Sequence, residues 1–309
     1  MHSFEMQLGG RPLIIESGKM AKQAGGAVLV RYVDTAVLVA ATASKEPREG
    51  IDFFPLTVDY EEKLYSVGKI PGGFIKREGR PSESSILASR LIDRPIRPLF
   101  ADGFRNDVQI VATVLSVEQD NAPDITAMIG ASCALSISDI PFEGPIAGVR
   151  VGLINDEFIL NPTTAQQNES ELNLVVAGSY DAVMMVEAGA NELSEEVILN
   201  AIIFGHDAIK TIIEFQNKIV AEIGKEKRQM KLFEIPEEII TDVKDYALEK
   251  LDKALRNPDK LAREAEVSEI KADVAMFFAE KYPDDAKNIQ LTLQKIVKSL
   301  FQYNLDNIM

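Results

Sequence analysis

Arg90, Arg94 and Arg97 stand four and three residues apart in "SRLIDRPIRPLF", the spacing that gathers side chains on one face of a helix. Guanidinium forks match phosphate oxygens two at a time, so three of them together can hold a multiply charged phosphoryl group. The same three could instead pair with Asp93 or Asp102, or cap carbonyls, and spacing alone does not choose between these uses. Just upstream, "PGGFIKREGRP" joins paired glycines to Phe74, Lys76, Arg77 and Arg80. A glycine-hinged loop that exposes an aromatic ring beside cations can stack a base and grip its backbone, as single-strand binders do. With Phe74 tucked inward, the same stretch would be an ordinary surface hairpin.

Over residues 72–100 six cationic side chains face three acidic ones, in a 309-residue chain of formal net charge −15. A basic patch on an acidic body attracts a polyanion locally while the remaining surface repels it. Broad wrapping of nucleic acid is excluded by that acidity, and a confined groove is not. Cys133 is the single cysteine, which rules out an internal disulfide and a cysteine-rich zinc site. Its neighbours "MIGASCALSI" read as the packed face of a helix. His2 and His206 are far apart in sequence, so a metal would have to use carboxylates. Asp139 with Glu143, and Asp156 with Glu157, lie in turn-like contexts and read as surface groups. His206 falls inside a helical pattern with no serine or cysteine nucleophile signature nearby. Neither a P-loop nor a dinucleotide fingerprint is present. No signal segment or apolar run of membrane-spanning length appears, which points to a cytoplasmic protein.

The elements that must carry these residues follow from periodicity. "AVLVRYVDTAVLVAATAS" is two β-branched runs around Val33-Asp34-Thr35 and predicts a hairpin. "DFFPLTVDYEE" and "DVQIVATVLSVE" predict further strands, and "SESSILASRLID" between them has helical spacing with Ser82 as N-cap. Pro95 should stop that helix, because proline pushes the residue before it out of helical geometry. "DITAMIGASCALSI" predicts a small-residue helix suited to close packing on a sheet. Four more strand patterns follow, then a long helix from about Ser194 to Gly224. The charged "GKEKRQMKLFEIP" reads as a linker, and beyond it three amphipathic helices turn at Asn257-Pro258 and Tyr282-Pro283. The expected organisation is an α/β (α+β) domain of mixed sheets and helices at 1–223, a linker at 224–235 and an all-helical domain at 236–309.

The stretch "DFFPLTVDYEEKLYSVGKIPGGFIKREGRPSESSILASRLIDRPIRPLF", with "APDITAMIGASCALSISDIPFEGPIAGVRVG" and "LVVAGSYDAVMMVEAGANELSE", closely resembles the amino-terminal half of the polynucleotide phosphorylases. The likeness runs to about residue 220, and 236–300 is similar to that family's small all-α domain. The final "SLFQYNLDNIM" does not resemble the family's passage into its second core.

The resemblance implies an RNase PH-like fold and a homotrimeric ring whose channel admits single-stranded RNA, with neither DNA nor membrane as a partner. It implies a nucleotidyltransferase in which, with Mg²⁺, inorganic phosphate cleaves the RNA 3′ end to release nucleoside diphosphates in mRNA degradation. Residue by residue, it implies an RNA-constricting loop at Phe74, Lys76, Arg77 and Arg80, with Ile75 where a second aromatic is frequent. It implies an RNA and phosphate pocket wall at Arg90, Arg94 and Arg97. At the positions matching the family's metal-binding aspartates this chain has Gln167 and Asn173, which lack the negative charge a hard ion favours. The expectation is therefore a half without catalytic or metal-binding residues of its own, Mg²⁺ being held by a second core. A stand-alone RNA-binding or oligomerisation scaffold is the alternative from another class, and a small-molecule phosphotransferase lacks a nucleotide motif.

Overall fold

The computed structural model describes residues 1–48, 50–72 and 79–306, which fall into two compact units divided between Leu232 and Phe233. In the first, the β-branched runs form a six-stranded sheet of β1 (His2–Leu8), β2 (Arg11–Ser17), β3 (Gly26–Tyr32), β4 (Thr35–Ala43), β5 (Leu56–Glu62) and β6 (Val108–Ser116), in the order β1-β2-β3-β4-β6-β5. Among the described strands β5 and β6 alone pair in parallel, and the crossover between them carries α1 (Glu83–Ile96). A second, antiparallel sheet holds β7 (Ala147–Ile154), β8 (Glu157–Leu160), β9 (Leu172–Gly178) and β10 (Val183–Ala190), in the order β10-β9-β7-β8.

The expected hairpin is β3–β4: Tyr32 pairs with Thr35, and Val33 takes the left-handed conformation at φ 55° that closes so short a turn. The small-residue helix is α2 (Pro123–Ile137), buried from Ile125 to Ile137 and packed against β3, β4, β7 and α4 (Glu195–Ile223). Its alanines, serines and Gly130 allow this approach. A Cβ on Gly26 of β3 would stand 2.0 Å from the carbonyl oxygen of Ala134 on α2. Cys133 is fully buried here, as its neighbours suggested.

Three features depart from the sequence reading. First, α1 does not stop before Pro95 but runs through it to Ile96, and Arg97 is its helical C-cap at φ −54°, ψ −44°. An interior proline costs about 3 kcal/mol through its missing donor and ring clash. Burial of Leu91, Ile92 and Ile96, at 6%, 0% and 0% exposure, outweighs this at about 1.5–3 kcal/mol each. Second, residues 224–232 are anchored to the first unit instead of linking freely. Lys227 Nζ donates to the carbonyls of Leu135, Ser136 and Ser138, Lys225 Nζ donates to Gly25 O, and Arg228 pairs with Asp139. Cations after a long helix are natural partners for the orphan carbonyls at the end of α2. Third, a short helix, α3 (Thr164–Glu169), begins with a capping box between Thr163 and Gln166; at six residues it is too short to show an apolar periodicity.

The second unit consists of α5 (Glu237–Leu255), α6 (Lys260–Phe278) and α7 (Ala286–Asp306). Ile239, Val243, Ala247, Leu251 and Ala254 recur along one face of α5 and bury against Val267, Val274 and Phe278 of α6 and Ile289, Leu293 and Ile296 of α7. Asp259 caps α6 by accepting from Ala262 N. No described helix in either unit is long and apolar enough to cross a membrane.

Candidate functional site

Because α1 stays helical past Pro95, Arg90, Arg94 and Arg97 occupy one continuous face. Ser82 fixes the start of the helix by accepting from Ser85 N at 3.2 Å. All three arginines are exposed, but their surroundings differ. Arg97 is a staple. Its Nε and Nη2 grip Asp93 at 3.0 and 2.7 Å, its Nη1 donates to Phe54 O at 3.0 Å, and its Nη2 also donates to Leu56 O at 3.1 Å. Four of its five N–H groups are thus engaged by the protein, so for Arg97 the pairing with Asp93 prevails over a free phosphate fork. Arg94 reaches across to the second sheet, its Nη1 lying 2.5 Å from Glu187 Oε1 on β10. Arg90 projects into solvent one turn before it.

Beside this face, on the side of α1 that carries Ser84, Leu87 and Leu91, lies a cleft of about 430 Å³ against the second sheet, lined also by Asp124, Arg150, Asn173 and Glu187 and by none of the three arginines. At its floor Arg150 Nη2 holds Asp124 Oδ2 at 2.9 Å, while Asp124 Oδ1 accepts from Ile125 N at 2.7 Å. Asp124 sits in the first turn of α2, so the positive end of that helix carries an internal carboxylate as its anion. The sequence reading singled out neither Arg150, Asp124 nor Glu187. Arg150 and Asp124 are 26 residues apart, Arg94 and Glu187 are 93 apart, and no local pattern marks either pair.

Gln167 and Asn173 are not brought together. Asn173 lines the cleft from β9, whereas Gln167 sits on α3 and lines a separate small pocket with Tyr32 and Asn161; Arg150 alone borders both. Gln167 Nε2 donates to Pro162 O at 2.9 Å, which turns a donor, not a ligand oxygen, to use. The carboxylates of the cleft, Asp124 and Glu187, are each engaged by an arginine. Among the described residues no group of three or more His, Cys, Asp or Glu side chains converges as metal ligands would. Amides and arginine-neutralised carboxylates do not fit a hard divalent ion.

The other candidates separate cleanly. Arg80 is exposed, whereas Phe74, Lys76 and Arg77, with Ile75, lie outside the described residues. His206 is a half-buried helix residue whose Nε2 lies 3.0 Å from Ser179 O. Asp139 pairs with Arg228, and Asp156 sits with Asn155 in the positive-φ turn between β7 and β8. Burial pushes the Cys133 thiol up from its ordinary 9.0 to about 12, which keeps it protonated and unreactive at neutral pH.

Three family models match in succession. Residues 9–141 match "3' exoribonuclease family, domain 1", 144–208 match domain 2 of the same family, and 238–305 match the RNA binding domain of polyribonucleotide nucleotidyltransferase. A polyribonucleotide nucleotidyltransferase of Bacillus subtilis strain 168 is 60% identical over 300 residues, covering 96% of this chain and 42% of that protein. One of Heliobacterium modesticaldum is 58% identical over 300 residues, covering 97% of this chain and 42% of its own length. The chain thus spans about two fifths of the curated relatives it matches. The crystal structure of rice Rrp46 superposes with a TM-score of 0.55 at 17% identity, over 69% of this chain and 96% of that one, and shares its fold. The mixed sheets with α2 between them are an RNase PH-like fold, and the chain belongs to the polyribonucleotide nucleotidyltransferase family.

Proposed function

We propose that this chain is the RNA-track and phosphate-side half of a phosphate-dependent 3′-to-5′ exoribonuclease, and that it has no phosphorolytic activity alone. The observation that carries this reading is the uninterrupted helical face of α1, which presents Arg90 and Arg94 one turn apart, with Arg94 reaching Glu187 at the edge of a cleft. In phosphorolysis, an oxygen of inorganic phosphate attacks the 3′-terminal phosphorus, the preceding ribose 3′-oxygen leaves, and a nucleoside diphosphate departs. Charge accumulates on the equatorial oxygens, and guanidinium groups at a partly dry surface neutralise it. Arg90 and Arg94 are the groups assigned to that work, with Phe74, Lys76, Arg77 and Arg80 gripping the incoming single strand. Arg97 acts as a positioning residue that holds the end of α1. Mg²⁺ is assigned to a second core, since Gln167 and Asn173 supply no ligand set here. The working enzyme is taken to be a cytoplasmic homotrimer.

The test is binding of a fluorescent oligo(A) to the 309-residue chain. Arg90→Glu and Arg94→Glu should each weaken it at least tenfold and lower the slope of log K against log salt by about 0.7 for each phosphate no longer neutralised. Affinity and slope that both variants leave unchanged would remove the arginine face from the RNA site.

A further inference from the structure

Phe53 and Phe54 are neighbours with opposite fates. Phe54 is drawn inward, its ring 4.6 Å from that of Phe100 and 5.3 Å from that of Phe104. Phe53 is turned out and 63% exposed. A single exposed phenylalanine carries no meaning by itself. This one, however, stands on a backbone that the phosphate-side helix fixes in place. Arg97 holds the carbonyls on either side of Pro55, at Phe54 and Leu56, and its guanidinium lies 5.6 Å from the Phe54 ring centre.

Two further arginines border the same short segment. Asp52, next to Phe53, lies close enough to Arg105 to act on it electrostatically. Arg48 pairs with Asp107 at 2.8 Å and is 72% exposed, and the residue after Asp107, Val108, donates to Pro55 O at 3.0 Å. The arginines beside it are held by carboxylates, Arg48 by Asp107 and Arg97 by Asp93, so an exposed ring on this stapled backbone offers a base its face rather than charge, the stacking half of single-strand recognition. Such a ring loses little entropy on stacking, because its main chain is already fixed.

We propose that Phe53 is a base-stacking residue for single-stranded RNA, extending the track beyond the Arg90 and Arg94 face. This rests on the RNA-binding reading given above, and it adds a contact that is apolar and insensitive to base identity. Every base offers a π-face, so the subsite should accept any nucleotide, with purines favoured by their larger area.

The chain contains no tryptophan, so Phe53→Trp places the sole indole at the proposed contact. Titration of that variant with oligo(A) should quench its emission saturably, with the same midpoint as binding measured by anisotropy. Inorganic polyphosphate, which has the charge and no bases, should not quench it. In the otherwise unchanged chain, Phe53→Ala should raise the Kd for oligo(A) at least about fivefold while leaving the salt slope as it was. Phe53→Tyr should restore the affinity. Because the side chain is exposed, these variants should melt within a few degrees of the parent, which separates a stacking defect from a folding defect. Undiminished oligo(A) binding with no quenching and no effect of Phe53→Ala would overturn the proposal while leaving the arginine reading intact. No oligo(A) binding by the parent chain would overturn both. Emission that shifts with protein concentration and not with oligo(A) would show that the ring meets a protein surface, and would also overturn it.

Discussion

Arg94 on α1 and Glu187 on β10 face each other at 2.5 Å, both about half exposed, and Glu187 also lines the cleft between α1 and the second sheet. If Arg94 holds phosphate as proposed, Glu187 already occupies the place of a phosphate oxygen. An exposed pair of this kind is worth about 0.2–1 kcal/mol, small enough for a multiply charged ligand to displace. Glu187→Gln should therefore tighten oligo(A) binding by up to about fivefold and change stability by less than about 0.5 kcal/mol. Anisotropy titration and urea unfolding check the two halves. Weaker binding in this variant would show Glu187 to be a positioning group and not a competitor.

Arg97 has the opposite profile. Of its four hydrogen bonds, two to Asp93 stay within α1 and two, to the carbonyls of Phe54 and Leu56, tie the end of the helix to the chain entering β5. Its side chain is 42% exposed, so solvent moderates the loss. Arg97→Ala should cost about 1–3 kcal/mol in urea unfolding, against less than about 0.5 kcal/mol for Arg94→Ala. Equal effects would contradict the division of labour between staple and ligand.

These two arginines show how far the sequence was legible. Their spacing revealed the shared face, yet Pro95 hid it, because a local rule about the residue before proline is weaker than the burial of Ile92 and Ile96. The β3–β4 hairpin was readable from its two β-branched runs, and α2 from its run of small and apolar residues, since that helix is buried on every side from Ile125 to Ile137. The Arg94–Glu187 and Arg150–Asp124 pairs were not, since their partners are brought together only by the packing of α1 and α2 on the second sheet. Lys225, Lys227 and Arg228 looked like a solvated linker because the acceptors of both lysines are backbone carbonyls, which no sequence pattern displays, and Asp139 is remote from Arg228 in the chain.

Gly26 tests the packing of α2 directly. A methyl group there would meet the Ala134 carbonyl at 2.0 Å, a backbone atom that cannot swing aside. Gly26→Ala should destabilise the first unit by several kcal/mol, on the order of the larger core substitutions. Thermal unfolding close to that of the parent would mean that β3 and α2 are less closely seated than this distance requires.

Alkaline pH should weaken the fold through two buried acids. The Cys133 thiol is raised from 9.0 to about 12 by burial alone. The Tyr60 hydroxyl is raised as well, first by burial and then by its hydrogen bond to Glu62. Both groups ionise more readily in the unfolded chain, so their contribution is complete below about pH 9 and declines as pH climbs toward 12. Urea midpoints measured from pH 7 to 11 should fall above pH 9, and Cys133→Ala should flatten part of that slope. In the same chain, a thiol reagent at pH 8 should modify Cys133 only as fast as the unit unfolds. Immediate modification would place the thiol at the surface.

The central claim is that this half binds the strand and supplies cationic groups but does not cleave. Incubating the purified 309-residue chain with poly(A), inorganic phosphate and Mg²⁺, and measuring ADP by chromatography, tests it most directly. We predict no ADP above the protein-free control under conditions where oligo(A) binding saturates. ADP release that scales with chain concentration and requires phosphate would contradict the account.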